Sequence, residues 1–197
     1  MRRRVFIATT LLGVAASLTG CASQRKAREA FLPLPAIMPM LRAVNAPLQV
    51  YQQIHVDIRN PAVGRQSFDF EAMIALSQAQ MKVALIALGM TLWTIDYDGA
   101  TLSETRSPHV PDLMKANYLL RDIAMAFWPM RSLVAQATDL MIEERPRQRR
   151  FYRLADQEPV VTIQYREGSD RGFNNTSVEI DNSLEAYRLI IQSQLVS

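Results

Sequence analysis

From Leu48 to Leu76 the side chains alternate in character at every step. Leu48, Val50, Gln52, Ile54, Val56 and Ile58 share one parity, and Tyr51, Gln53, His55, Asp57 and Arg59 share the other. A period of two puts the apolar set on one face of a strand and the polar set on the opposite face. Asn60-Pro61 and Gly64 supply a turn. Phe68, Phe70, Ala72, Ile74 and Leu76 then resume the pattern against Ser67, Asp69 and Glu71, with Met73 as the exception. Strands this one-sided pair as an antiparallel sheet whose apolar face must be covered.

The run Met81 to Leu88 is apolar on both parities, which predicts a central strand, and Gly89 interrupts it. Trp93, Ile95 and Tyr97 alternate with Thr94, Asp96 and Asp98; Asp98-Gly99 signals a hairpin, and Thr101 to Thr105 returns as a strand. The period then changes. Pro111 suits a first helical position, and Leu113, Ala116, Leu120, Ile123, Ala124 and Phe127 recur at helical spacing. Trp128-Pro129 stops this helix, and Pro129 opens a second that carries Leu133, Val134 and Ala137, with Leu140 at its limit. Strands are expected again at Phe151–Leu154, Val160–Tyr165, Val178–Ile180 and Tyr187–Ile191.

The fold class is therefore mainly β (α+β): an antiparallel sheet curved into an incomplete barrel, with the mid-chain helices as a lid. Two short helices are too little to fill a large curved sheet, and such a shape can enclose an apolar cavity. Phe68, Phe70, Trp93 and Tyr97 from the sheet, with Leu120, Ile123 and Phe127 from the helix, are the candidate lining. A dry, filled core is the alternative for the same residues.

The chain opens with Arg2, Arg3 and Arg4, followed by the apolar run Val5 to Leu18 and small residues, the pattern of a bacterial export signal. Leu18-Thr19-Gly20-Cys21 resembles a lipobox, which implies cleavage after Gly20 and lipidation of Cys21, the only cysteine. The alternatives are an ordinary secretory signal or an uncleaved anchor. The expected division is 1–20 signal peptide, 21–46 lipidated N-terminus and proline-broken tether, and 47–197 folded domain. Apolar members of the tether, Phe31, Leu32, Ile37 and Met38, are expected to pack on that domain. Val5–Leu18 is too short to span a bilayer, so the chain is expected to be anchored to a membrane rather than to cross it. Ala22 and Ser23 follow the cysteine where lipoproteins kept in the inner membrane usually carry Asp, so the resemblance to a lipobox implies the outer membrane, facing the periplasm. The 22 basic side chains include three in residues 1–20, where there are none of the 19 acidic ones, so the remainder is balanced. Balance and export both argue against nucleic acid as a partner.

Few residues suggest catalysis. His55 falls on the polar parity of a strand and His109 in a loop, and no ligand spacing accompanies them, so neither a metal nor another cofactor is expected. No serine occupies a Gly-x-Ser-x-Gly elbow. Arg145, Arg147, Arg149 and Arg150 follow Glu143 and Glu144; they read either as a solvated loop with local ion pairs or as a contact for lipid phosphates. Asn174-Asn175-Thr176 matches a glycosylation sequon but reads as loop chemistry.

Several weak motifs together resemble LolB, the outer-membrane lipoprotein family that accepts lipoproteins from the periplasmic carrier LolA. They are the lipobox at Cys21, the Leu88-Gly89 corner, Leu119-Leu120-Arg121-Asp122 through Phe127-Trp128-Pro129, Arg150-Phe151-Tyr152 with Val160 to Tyr165, and Tyr187 to Ile191. The Trp-Pro helix end is most similar to LolB-like lipoproteins encoded with aryl polyene pigment genes. The resemblance implies a LolA/LolB-like fold and a non-enzymatic protein that binds and transfers a lipidated or polyene-acyl cargo. It implies lipid or acyl chains, the outer membrane and a LolA-like carrier as partners. It also implies that Leu88 and Gly89 form a membrane-inserting corner, although Ala87 stands where LolB has proline. Buried strand core is the other reading of Leu88. A scaffold lipoprotein of an envelope or export complex and a lipid-acting enzyme are the alternative functions.

Overall fold

The computed structural model describes residues 34–59, 61, 64–154, 158–166 and 171–196, all within the unit Pro33–Ser197. The signal segment, Cys21, Phe31 and Leu32 lie outside the described residues.

Among the described residues a short 3-10 turn at Leu41–Ala43 is followed in chain order by ten strands and two α-helices, β1 (Leu48–Ile58), β2 (Gln66–Leu76), β3 (Met81–Ala87), β4 (Met90–Tyr97), β5 (Leu102–Arg106), α1 (Ala116–Phe127), α2 (Met130–Val134), β6 (Leu140–Arg145), β7 (Gln148–Arg153), β8 (Val161–Tyr165), β9 (Thr176–Asn182) and β10 (Tyr187–Val196). They form one antiparallel sheet in the order β5-β4-β3-β2-β1-β10-β9-β8-β7-β6. Two five-stranded meanders are thus joined where β1 pairs with β10, from Ile58–Tyr187 to Gln49–Val196. β5 and β6 end the sheet without pairing to each other, so the barrel is open. The turns divide between two rims. One, called upper below, carries the β1–β2, β3–β4, β7–β8 and β9–β10 connections, the end of β5 and the start of β6. The lower rim carries the others.

The alternation in β1 and β2 is reproduced. Val50, Gln52, Ile54, Val56 and Ile58 are buried, as are Phe70, Ala72, Ile74 and Leu76. Across the ladder these pair in rows, Val50 with Ile74 and Ile54 with Phe70, so the apolar face is continuous from β1 to β2. Helix α1 covers that face with Leu120, Ile123, Ala124 and Phe127, and Leu34, Ile37, Leu41 and Val44 join the same core. Met38 packs against it and exchanges hydrogen bonds with Gln136: its N–H donates to Gln136 Oε1 and its carbonyl accepts from Gln136 Nε2, at 3.0 and 2.9 Å.

The mid-chain region departs from the expected helices in three ways. Helix α1 begins at Ala116 rather than Pro111, because Arg106 at the end of β5 donates to the carbonyls of Val110 (3.2 Å), Pro111 and Met114 (2.8 Å). Those acceptors are engaged by a guanidinium, and Lys115 remains extended. Helix α2 stops at Val134, and Leu140 instead opens β6 opposite Arg153. The segment of Glu143, Glu144 and Arg145 is an edge strand; charges on such a strand discourage edge-to-edge association. Trp128-Pro129 does end α1, with both residues extended.

Candidate functional site

The corner Ala87-Leu88-Gly89-Met90 is the two-residue turn of the β3–β4 hairpin. Leu88 and Gly89 have φ of 51° and 74°, the positive values that the preferred tight hairpin turn requires. Asparagine or glycine ordinarily fills the first of these positions. A leucine there costs roughly 1–2 kcal/mol of local strain. Leu88 is nevertheless 97% exposed. Strain and full exposure together mean that packing does not account for this side chain. On the outer face beneath the corner lies a groove of about 530 Å³ lined in part by His55, Asp69, Glu71, Ile86 and Ile190.

On the concave face, Phe70, Trp93, Tyr97, Leu120, Ile123 and Phe127 are buried in one cluster, and Phe68 packs half-buried against it. The candidate lining is therefore brought together, with sheet and helix members in contact through the same core. Near the open edge, Trp93 Nε1 donates to Glu104 at 2.8 Å, and Arg106 lies over the Trp93 ring at 5.0 Å.

Two polar devices hold α1 over this face. At its C-terminal end, Arg149 Nη1 donates to the carbonyls of Met125 (2.7 Å) and Trp128 (3.0 Å), and the Tyr165 hydroxyl donates to Ala126 O at 2.7 Å. These are the carbonyls a helix terminus leaves without intrahelical donors, and a cation there also complements the helix dipole. Glu144 in turn accepts from Arg149 at 2.5 Å. Trp128 Nε1 donates to Met40 O at 2.9 Å, and Phe127 stacks on Phe173 at 4.5 Å.

In the first half of α1, Arg121 donates to both carboxylate oxygens of Glu185 at 2.8 and 2.6 Å and to the Tyr187 hydroxyl at 2.8 Å. Its Nε donates to Asp122 at 3.2 Å, and Tyr187 donates to Asp122 at 2.5 Å. Arg121 and Asp122 are both buried. Burial opposes the charge on Arg121, but Asp122, Tyr187 and Glu185 outweigh it and raise its pKa. Burial pushes the Asp122 carboxyl up against the pull of Arg121 and the hydrogen bond from Tyr187, and the neighbouring Glu185 carboxylate adds to the rise. The Tyr187 hydroxyl is held well above its ordinary value by burial and by Asp122. The cluster fastens α1 to the β9–β10 turn at the upper rim.

The arginine cluster resolves into individual roles. Arg145 pairs with Glu143 at 2.6 Å and Arg150 with Glu143 at 3.8 Å, as local ion pairs, whereas Arg149 is buried and structural. His55 is also more engaged than its strand position suggested. Its Nδ1 meets Asp69 at 2.7 Å, and its Nε2 lies 3.3 Å from Ser67 Oγ and 3.4 Å from Asp57. The connectivity is that of a Ser-His-Asp set. Ser67 lies flat on a sheet, however, where ladder N–H groups point within the sheet plane rather than toward an oxyanion, and Asp57 competes for the same imidazole nitrogen. Thr176 of the sequon donates to the carbonyls of Gly172 and Asn174 at 2.5 and 3.2 Å, which is local loop chemistry. Among the described residues no group of His, Cys, Asp and Glu side chains could hold a metal ion, and no helix is long and apolar enough to cross a membrane.

No curated protein matches the sequence. Among solved structures, the chain is similar to the LolA superfamily protein NE2245 from Nitrosomonas europaea, at 12% identity and a TM-score of 0.47 over 90% of this chain and 92% of that one. The model of a family described as a protein of unknown function, DUF3261, matches residues 49–195, and the chain belongs to that family.

Proposed function

We propose that this protein is an outer-membrane lipoprotein, anchored through Cys21, that takes up the acyl part of a lipidated or polyene-acyl cargo and passes it into the membrane beside Leu88. The observation that carries the proposal is Leu88 itself, a leucine held at positive φ and 97% exposed at the tip of a hairpin. A strained side chain that touches nothing is retained where its exposure is the useful property.

The cargo would occupy the concave face by displacing α1. The Arg149 and Tyr165 clamps hold the C-terminal end of the helix and act as the pivot. The Arg121 cluster is the latch, and its release opens the upper rim beside the corner. Apolar chains then move from donor to cavity to bilayer, down the gradient of exposure to water. A LolA-like periplasmic carrier is the donor.

The test is acyl-probe binding and transfer. The full chain should bind a fluorescent fatty-acyl probe and hand it to acceptor vesicles. Leu88→Glu should keep the binding and slow the transfer. Absence of acyl binding, or full-rate transfer by the Leu88→Glu protein, would overturn the proposal. One observation favours a second reading. The lining candidates Phe70, Trp93, Leu120 and Ile123 are buried with the helix in place, as suits an anchored scaffold with no cargo. The binding arm of the same experiment separates the two.

A further inference from the structure

The rims of the barrel differ in what they expose. Away from the upper rim, among the described residues, the large apolar side chains left in solvent are Leu195 and Val196 at the end of β10 and Val134 at the end of α2. The upper rim has more, spread over separate elements. Leu88 is 97% exposed and Met90 57%, on either side of Gly89; Met141 at the start of β6 is 53% exposed, and Leu154 beyond the end of β7 is 74%. Leu113, 40% exposed, belongs to the connector that Arg106 fastens beside the end of β5. In sheet order β4 and β5 stand at one edge of the opening and β6 and β7 at the other, so these side chains form an arc across the open side. No run of sequence announces the arc, because each member comes from a different turn or strand end.

The path of the chain gives the arc its partner. Followed backwards, the segment before β1 passes from Met40, beside Trp128 at the lower end of α1, to Met38, beside Gln136 on the approach to β6. Leu34, the first described residue, is buried in the hydrophobic core. Residues 21–33 can reach at most about 45 Å beyond it. A tether of that reach lets a lipid on Cys21 bring this rim to the membrane.

We infer that the upper rim is a multi-point seat on the bilayer interface, in which Met141 and Leu154 insert together with Leu88 and set the open side of the barrel against the membrane. The inference rests on the anchored-carrier reading and extends it from a single inserting residue to an oriented face. Isolated leucine and methionine tips on turns suit a fluid interface, which needs no fixed shape from its partner.

The test uses the full lipidated chain on phosphatidylcholine vesicles. Once Cys21 is a thioether it no longer reacts with maleimides, so L88C, M141C, L154C and the lower-rim control L195C each take a single fluorophore. Emission from the buried Trp93 and Trp128 checks that each variant is folded. With brominated lipid, labels at positions 88, 141 and 154 should be quenched and the label at 195 should not. Quenching at 88 alone would overturn the seat and leave delivery through the corner standing. Quenching at none of the three would overturn both, and equal quenching at 195 would overturn the orientation. In the full chain carrying Cys21→Ser, the double variant M141S/L154S should bind the same vesicles about tenfold more weakly than its parent. Unchanged binding would also overturn the seat.

Discussion

Replacing Arg121 with methionine tests how the helix is held. The side chain is buried and makes a bidentate bond to Glu185, a bond to Tyr187 and a contact with Asp122. Methionine fills much of the same volume but leaves Asp122 and Glu185 close together with no cation between them. Removing one partner of a buried ion pair costs about 3–5 kcal/mol, mostly from the charge left behind. Against a domain stability of about 5–15 kcal/mol, and at roughly 2–4 °C per kcal/mol for a chain of this size, Tm should fall by about 6–20 °C. Thermal unfolding followed by far-ultraviolet circular dichroism measures the drop. Native-state hydrogen exchange locates it: amides in the first half of α1 should open more readily than those of β1 and β2. Exchange of a bound acyl probe should quicken in parallel. A change in Tm of only a few degrees, or exchange that rises equally in β1 and α1, would refute the latch.

Three further outcomes follow from the geometry. Leu88→Asn should stabilise the protein by about 1 kcal/mol, since asparagine accepts positive φ more readily, yet reduce membrane transfer; chemical denaturation and the vesicle assay together would reveal the opposed signs. His55 has a pKa raised by its hydrogen bond to Asp69. Its contribution is thus fully present below the ordinary value of 6.5 and is lost as pH rises through the folded value. Denaturation midpoints across that window should decline with rising pH, and Asp69→Asn should flatten the decline, with a small effect because the pair is exposed. Arg149→Met should cost about 1–3 kcal/mol by leaving the terminal carbonyls of α1 without a donor, while Glu144 keeps its pairing with Arg171 at 2.6 Å, read as a lowered Tm and as faster exchange at the end of α1 rather than at its start.

The sheet was legible because its cause is local. Alternation in β1 and β2 is a property of consecutive residues, and one buried face fixes the register. Gly89 was visible for the same reason, as a break between two apolar runs, but the sequence left Leu88 as either an inserting corner or buried strand core, and only the geometry of the hairpin turn places it in solvent. Most of the failures are cases of long-range chemistry. Arg149 looked like one member of a charged loop, and only the carbonyls of Met125 and Trp128, brought over from α1, make it structural. Arg121 and Asp122 find their partners more than sixty residues later, at Glu185 and Tyr187. The true start of α1 depends on Arg106 taking carbonyls that the period-based reading assigned to a helix. β6 escaped notice because an edge strand carries charges that obscure its alternation. His55 gained its neighbours from the β1–β2 register, which the two strands determine jointly.

Native mass spectrometry of the full chain, released gently from membranes, tests the central claim most directly. The carrier account predicts, above the covalent mass of the protein and its lipid anchor, a second species that holds a noncovalent acyl-bearing molecule, depleted by incubation with acceptor vesicles and depleted more slowly in the Leu88→Glu protein. A single unliganded species that stays unliganded after lipid is added would contradict it.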